Sequence, residues 1–259
     1  MLVATHGGIS NKIFFNPKPV ELYSPVQRWI IWKILAYCIG VLVSGIIVFT
    51  IFNVLYLIFF QKDAVAKEIF TYTVLYLILM IGLVLTKQAT DPLYVGDELG
   101  IYLKALNLYP FEFILTSQIY IICFFIFPVS ISPLLIKAVF HAFVVGYIVG
   151  RTRIYYKTKW AYLLFGIFML RPVLNESMRI HRMQWYALLY VLVAAKLYYD
   201  RKETKNVSFR TVLLMCSLVA LLTIWRREGI YLLALGLLGI LFVYGANINR
   251  KKIIFSFLL

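Results

Sequence analysis

Long continuous apolar segments are the feature that most limits how this chain can fold. The first covers residues 30–60 and the second covers residues 69–85. A helix of about 20 apolar residues crosses a hydrocarbon core about 30 Å thick, and in lipid only helices and closed barrels satisfy every backbone hydrogen bond. Because these segments are continuous rather than alternating, they favour helices. With 63% hydrophobic residues overall, the chain is predicted to be an all-α integral membrane protein.

The apolar segments predict about 7 transmembrane helices, with interfacial helices in the first large external loop. Residues 1–28 form an N-terminal tail, and residues 29–259 form one multi-spanning transmembrane domain. The segment 30–60 is longer than an upright span, so it predicts a tilted or projecting helix, with a hairpin of two short spans as the alternative. Residues 113–129 are predicted to lie along the outer interface. Because the chain ends on a short apolar segment, we expect C-terminal truncation.

Basic residues dominate the charge, with 26 Lys and Arg against 11 Asp and Glu. They lie in short loops, where positive charge favours the cytoplasmic face and anionic headgroups, so no nucleic-acid binding is expected. Three basic loops are assigned to the cytoplasm: 151–159, 196–210 and 250–252. If residues 113–129 do not cross, the outer face carries three other polar segments: 86–112, 171–182 and 226–228. These three polar segments are thus predicted to face the same compartment. The same assignment places the basic N-terminal tail outside, although the preference of basic residues for the cytoplasmic face would place it inside.

Carboxylates are concentrated in the segment 86–112. It holds four of the acids in the chain: Asp91, Asp97, Glu98 and Glu112. Because apolar segments flank this loop on both sides, its carboxylates are predicted to lie just outside a membrane span. One interpretation of the adjacent Asp97 and Glu98 is general acid–base chemistry. The other is that they begin a surface helix, where acids favour the N-terminal end of the helix dipole.

Basic side chains mark the other two outer segments. Arg179 and Arg182 are three residues apart and share one helical face, with His181 offset from them. Such residues at a helix end often reach lipid headgroups and nothing more. Arg226 and Arg227 instead interrupt an apolar stretch, and ionisable residues at membrane depth are candidates for function.

Several of these stretches together resemble a known family. They are GDELGIYLKALN (96–107), a Pro-interrupted helix pair, MLRPVLNESMRIHRMQWYALLYVLVAAKLYYDRK (169–202) and WRREGIYLLALG (225–236). This arrangement resembles the N-terminal half of multi-spanning glycosyltransferases of the GT-C superfamily, which includes the protein O-mannosyltransferases and the aminoarabinose transferases of lipid A. The resemblance covers roughly residues 70–250. The chain differs from the family in having an additional span before the acidic loop.

The resemblance implies an inverting transfer of a sugar from a polyprenyl-phosphate donor to an acceptor glycan, lipid or protein outside the plasma (inner) membrane, in cell-envelope polysaccharide biosynthesis. Asp97 or Glu98 would be the catalytic base. The residues implied to bind the lipid phosphate are Arg171, Arg179, His181, Arg182, Arg226 and Arg227. No cofactor is expected, with a divalent cation at the acidic loop as the alternative.

Sugar transfer would require both kinds of polar loop. Because a sugar hydroxyl has a pKa far above 7, its attack on an anomeric carbon requires a carboxylate within about 3 Å, and the departing phosphate requires cationic donors. A polymerase that joins lipid-linked repeat units would use the same chemistry. A non-enzymatic flippase, or a subunit for surface-polymer assembly, is a further alternative, although a transporter would be expected to show internal repeats of its spans, and the sequence has none.

Overall fold

The computed structural model describes residues 30–85, 98–108, 116–129, 131–156, 158–177, 182–203, 209–225 and 230–245. Regular secondary structure in these ranges is entirely helical, which confirms the predicted all-α class. In chain order the helices are α1 (Ile30–Phe59), α2 (Ala64–Leu85), α3 (Glu98–Leu106), α4 (Thr116–Ile126), α5 (Ser132–Tyr155), α6 (Thr158–Phe168), α7 (Arg171–Ser177), α8 (Arg182–Lys202), α9 (Phe209–Trp225) and α10 (Ile230–Tyr244).

Three of the described helices are long and apolar enough to cross a membrane. The candidate spans are Ile34–Phe59 in α1, Ala64–Leu83 in α2 and Ser132–Tyr155 in α5. Shorter apolar stretches occur in α4, α9 and α10. These helices indicate an integral membrane protein, and the number of about 7 spans stays a prediction.

Helix α1 is one uninterrupted helix of 30 residues. At 1.5 Å per residue it rises about 45 Å, which exceeds the hydrocarbon core. The structure therefore has the single long helix expected from residues 30–60 and not the alternative hairpin of two short spans.

The chain divides into two compact units, Met1–Gln184 and Trp185–Leu259. In the first unit α2 and α5 pack most closely, because Gly146 and Gly150 of α5 face the backbone of α2. A Cβ atom at Gly146 would lie 2.7 Å from the carbonyl oxygen of Ile69, and one at Gly150 would lie 2.8 Å from the Ile69 nitrogen. Two glycines four residues apart allow this approach between membrane helices. Apolar side chains such as Tyr72 and Val145 form the core around the seam.

Contacts within the first unit fix the direction of α4. Phe125 lies against Tyr37, with ring centroids 5.0 Å apart, and the carbonyl of Ile122 accepts a hydrogen bond from Ser44 at 3.4 Å. Residue numbers rise along α1 as they fall along α4, so the two helices are antiparallel. Eleven residues rise only about 16 Å, so α4 cannot cross a bilayer alone. It packs lengthwise against α1, whereas residues 113–129 were expected to lie along the interface.

In the second unit, small residues let α10 approach its neighbours. Gly236 faces Val219 of α9, and a Cβ atom at Gly239 would lie 3.6 Å from Leu197 of α8. Helix α8 continues to Lys202, so Asp200 lies within the helix. Its buried position differs from the exposed connector that the hydrophilic residues 196–210 predict, because neighbouring side chains bind its carboxylate.

Candidate functional site

The structure describes only part of the predicted site. Glu98 and Arg171 each begin a helix, α3 and α7, and Arg182 begins α8. The other predicted site residues lie outside the described ranges: Asp97, Arg179, His181, Arg226 and Arg227. Of the two predicted catalytic acids, Glu98 is the one that lies in the described ranges.

Glu98 is fully buried, at 0% exposure, and its Oε2 accepts a hydrogen bond from the Tyr120 hydroxyl at 2.7 Å. A buried carboxylate is unfavourable unless hydrogen bonds and favourable dipoles replace its lost hydration. Tyr120 of α4 supplies one such bond, and the N-terminus of α3 supplies a positive partial charge. Glu98 begins a helix, as one interpretation predicted, but this helix end is buried instead of lying on the surface.

Apolar and aromatic side chains surround the first turns of α3. Ile101 and Ala105 are fully buried, and the ring of Tyr102 meets Phe124 edge-on at 5.5 Å. Burial raises the pKa of Tyr102 to about 12, so its hydroxyl stays neutral at physiological pH. Few water dipoles compete near Glu98, and electrostatic interactions with a reacting group would be correspondingly strong.

The Glu98–Tyr120 pair lies on the side of α4 that faces α3. Tyr120 is two residues, about 200° around the helix, from Ile122, whose carbonyl meets Ser44 of α1. On the same face as Tyr120, Phe124 lies against Tyr102 of α3. The position of this carboxylate just outside a span stays a prediction.

Gln118, which lies on α4 with Tyr120, was not predicted from the sequence as a site residue. It is 7% exposed, and neither its Nε2 nor its Oε1 has a hydrogen-bond partner in the part of the chain that the structure describes. A buried polar group without a partner costs about 1–3 kcal/mol. The signal in the sequence was a glutamine within the apolar segment 113–129.

Lys137 is a second residue that sequence reasoning missed. It lies in the candidate span Ser132–Tyr155, is 0% exposed, and donates a hydrogen bond to the side-chain oxygen of Gln184 near the start of α8. An ionisable residue inside a membrane helix is a functional candidate. One turn further along α5, His141 is also buried, with its ring 5.6 Å from that of Tyr76.

Residues on both sides of the basic segment 171–182 contact the same half of the first unit. The Tyr76 hydroxyl donates to the carbonyl of Phe168 at 3.2 Å, and Gln184 binds Lys137. The first contact lies in the half of α2 that ends at Leu85, and the second lies in the half of α5 that begins at Ser132. The Ser132 hydroxyl in turn donates to the Cys123 carbonyl of α4 at 2.5 Å. The structure thus brings α4, exposed Arg171 and the start of α8 to one end of this unit.

The opposite end of the first unit carries its own ion pair. Arg153 Nη1 lies 2.8 Å from Glu68 Oε2, and both side chains are partly exposed. Exposed pairs contribute about 0–1 kcal/mol to stability. Glu68 therefore provides a second glutamate in the same unit, at the end away from Glu98.

A metal site is not evident in the described ranges, where no three His, Cys, Asp or Glu side chains come together. Asp91 and Asp97 lie outside those ranges, so a divalent cation at the acidic loop stays an untested alternative.

Comparison of the chain with protein-family models, curated proteins and solved structures finds no match. The resemblance to the GT-C superfamily therefore stays a prediction based on the sequence stretches quoted above.

Proposed function

We propose that this chain is a membrane glycosyltransferase that moves a sugar from a polyprenyl-phosphate donor to an acceptor outside the plasma membrane, as the resemblance to the GT-C superfamily implies. The observation that carries the proposal is the buried carboxylate of Glu98, held by the Tyr120 hydroxyl at 2.7 Å. A positioned carboxylate in an apolar site is what proton abstraction from a hydroxyl requires.

In the proposed reaction, Glu98 takes the proton of the acceptor hydroxyl as its oxygen attacks the anomeric carbon. The bond from this carbon to the donor phosphate breaks, its electron pair leaves with the phosphate, and the anomeric configuration inverts. Tyr120 is a positioning residue, because its hydrogen bond orients the carboxylate. Since Glu98 is fully buried, the proposed reaction requires a movement that opens this carboxylate to the acceptor.

The departing phosphate requires cations. Arg171, exposed at the start of α7 in the same half of the unit, is the described candidate. The other proposed phosphate-binding residues are those outside the described side chains: Arg179, His181, Arg182, Arg226 and Arg227. The proposal includes about 7 membrane crossings and polar loops that face the outside, which follow from the sequence.

The test is incorporation of labelled sugar by membranes that contain the protein. Glu98→Gln is expected to lower the rate at least about 100-fold, since general-base catalysis contributes that much or more. Glu68→Gln is the matched control, because it makes the same substitution at the other end of the unit, and it should keep near wild-type activity. Wild-type rates from Glu98→Gln would overturn Glu98 as the base, and Asp97→Asn then tests the neighbouring acid.

A further inference from the structure

We infer that the indole of Trp225 binds the phosphate of the lipid-linked donor. This inference rests on the proposed function and deepens it, because it adds a neutral hydrogen-bond donor to the cations proposed for the phosphate. Trp225 is the last residue of α9 and is only 5% exposed. Its Nε1 has no hydrogen-bond partner in the part of the chain that the structure describes.

The burial of this indole is unusual for a tryptophan. A buried tryptophan N–H is usually hydrogen-bonded, and a buried donor without an acceptor destabilises the fold. Trp225 extends the buried side of α9 one turn beyond Leu222, which is 1% exposed, so the packing of α9 holds the indole in place. Since buried polar groups nearly always have a partner, the exception is explained if a ligand supplies the acceptor.

Trp225 lies where α9 connects to α10. Only the residues 226–229 separate the two helices, and Gly236 of α10 faces Val219 of α9, so α10 runs back along α9. The residues that directly follow Trp225 are Arg226 and Arg227, which are proposed to bind the lipid phosphate. A buried hydrogen-bond donor and two cations are therefore neighbours along the chain.

The chemistry of the indole selects the ligand. Its N–H donates one hydrogen bond and accepts none, so the ligand must offer an acceptor. An ionised phosphate offers only acceptors, and a hydrogen bond to a charged group is about twice as strong as one between neutral groups. A polyprenyl chain has no acceptor. Because the indole is almost fully buried, a headgroup that only covers the protein surface does not reach it, and the fitting ligand is a phosphate that enters with the donor.

The inference is tested with the full chain in phosphatidylcholine nanodiscs, to which polyprenyl phosphate or the phosphate-free polyprenol is added. Ligands that bind the folded state raise the Tm, so the difference between the two additions measures the contribution of the phosphate. Trp225→Phe removes the indole N–H and keeps an aromatic ring. We expect this variant to raise the Kd for polyprenyl phosphate about tenfold or more, because a hydrogen bond to a charged group is lost.

Trp160→Phe is the matched control, because it makes the same substitution at a tryptophan of α6 that is 51% exposed, and it should leave the Kd unchanged. A second measurement reports on the donor itself. In proton–nitrogen correlation spectra, the indole resonance that is missing from Trp225→Phe belongs to Trp225. Polyprenyl phosphate should shift this resonance downfield, and polyprenol should not.

An unchanged Kd in a folded Trp225→Phe protein overturns the inference alone, and so does an indole resonance that polyprenyl phosphate leaves in place. Trp225→Leu provides a second variant if Trp225→Phe does not fold. An equal rise in Tm from inorganic phosphate without the lipid would indicate a site for a free anion and would also overturn the inference. A wild-type protein that polyprenyl phosphate stabilises no more than polyprenol overturns the donor class in the proposed function, and this inference with it.

Discussion

In the part of the chain that the structure describes, two buried carboxylates accept a hydrogen bond from a tyrosine, one in each unit. Glu98 of the first unit lies 2.7 Å from the Tyr120 hydroxyl, and Asp200 of the second lies 2.5 Å from the Tyr244 hydroxyl. Asp200 also accepts from the ammonium of Lys196, at 2.8 and 3.1 Å. The same pair of groups thus occurs in two electrostatic settings.

Helix position explains the difference. Glu98 is the first residue of α3, where the helix dipole favours an anion, whereas Asp200 is two residues from the end of α8, where the dipole opposes one. At Asp200 the Lys196 ammonium offsets the unfavourable helix dipole. The hydrogen bond from Tyr244 to the same carboxylate connects α10 to α8. The comparison teaches that a carboxylate at the start of a helix can be buried for chemistry, while one near the end requires a cation and stabilises packing.

The largest effect on stability is expected at Asp200. Asp200→Ala leaves the Lys196 ammonium without its ion-pair partner and should lower the free energy of unfolding by about 3 kcal/mol. Denaturant unfolding in detergent would measure it. The double variant Lys196→Met/Asp200→Leu is the control, since replacing both charges with apolar groups should recover most of that loss. A stable Asp200→Ala protein would contradict the role of Asp200 in packing.

The two tyrosines should separate activity from stability. Tyr120→Phe is expected to lower kcat for sugar transfer about tenfold at unchanged KM, because one hydrogen bond that orients the base is lost. Tyr244→Phe should leave kcat unchanged and lower the free energy of unfolding by about 1.5 kcal/mol, the contribution of a hydrogen bond to a charged group. Equal effects of both variants on kcat would show that the two clusters do not differ in role.

The smallest effect concerns Tyr102, in the surroundings of Glu98. Burial raises its pKa to about 12, above the ordinary value near 10, so the folded state retains this proton more tightly than the unfolded state. Its contribution to stability is therefore complete below about pH 10 and is lost as the pH rises toward 12. The difference in Tm between wild type and Tyr102→Phe should shrink over that interval. A difference independent of pH would indicate that Tyr102 is not buried.

The sequence by itself determined the helical membrane class. It also favoured a single long helix at residues 30–60, and a helix start was one of its two interpretations of the acidic pair. These follow from local properties, because the length and continuity of an apolar run decide whether a backbone can satisfy its hydrogen bonds in lipid. Sequence reasoning also placed Asp200 in a hydrophilic connector, whereas the structure buries it within α8. The position of Glu98 just outside a span stays a prediction.

Only the tertiary structure decided which polar groups are buried. Glu98 is buried where α3 packs against α4, through Tyr120 and Phe124. Lys137 is likewise buried and bonded to Gln184, 47 residues further along the chain. Burial of a single polar side chain depends on such long-range packing, which hydropathy summed along a segment does not contain.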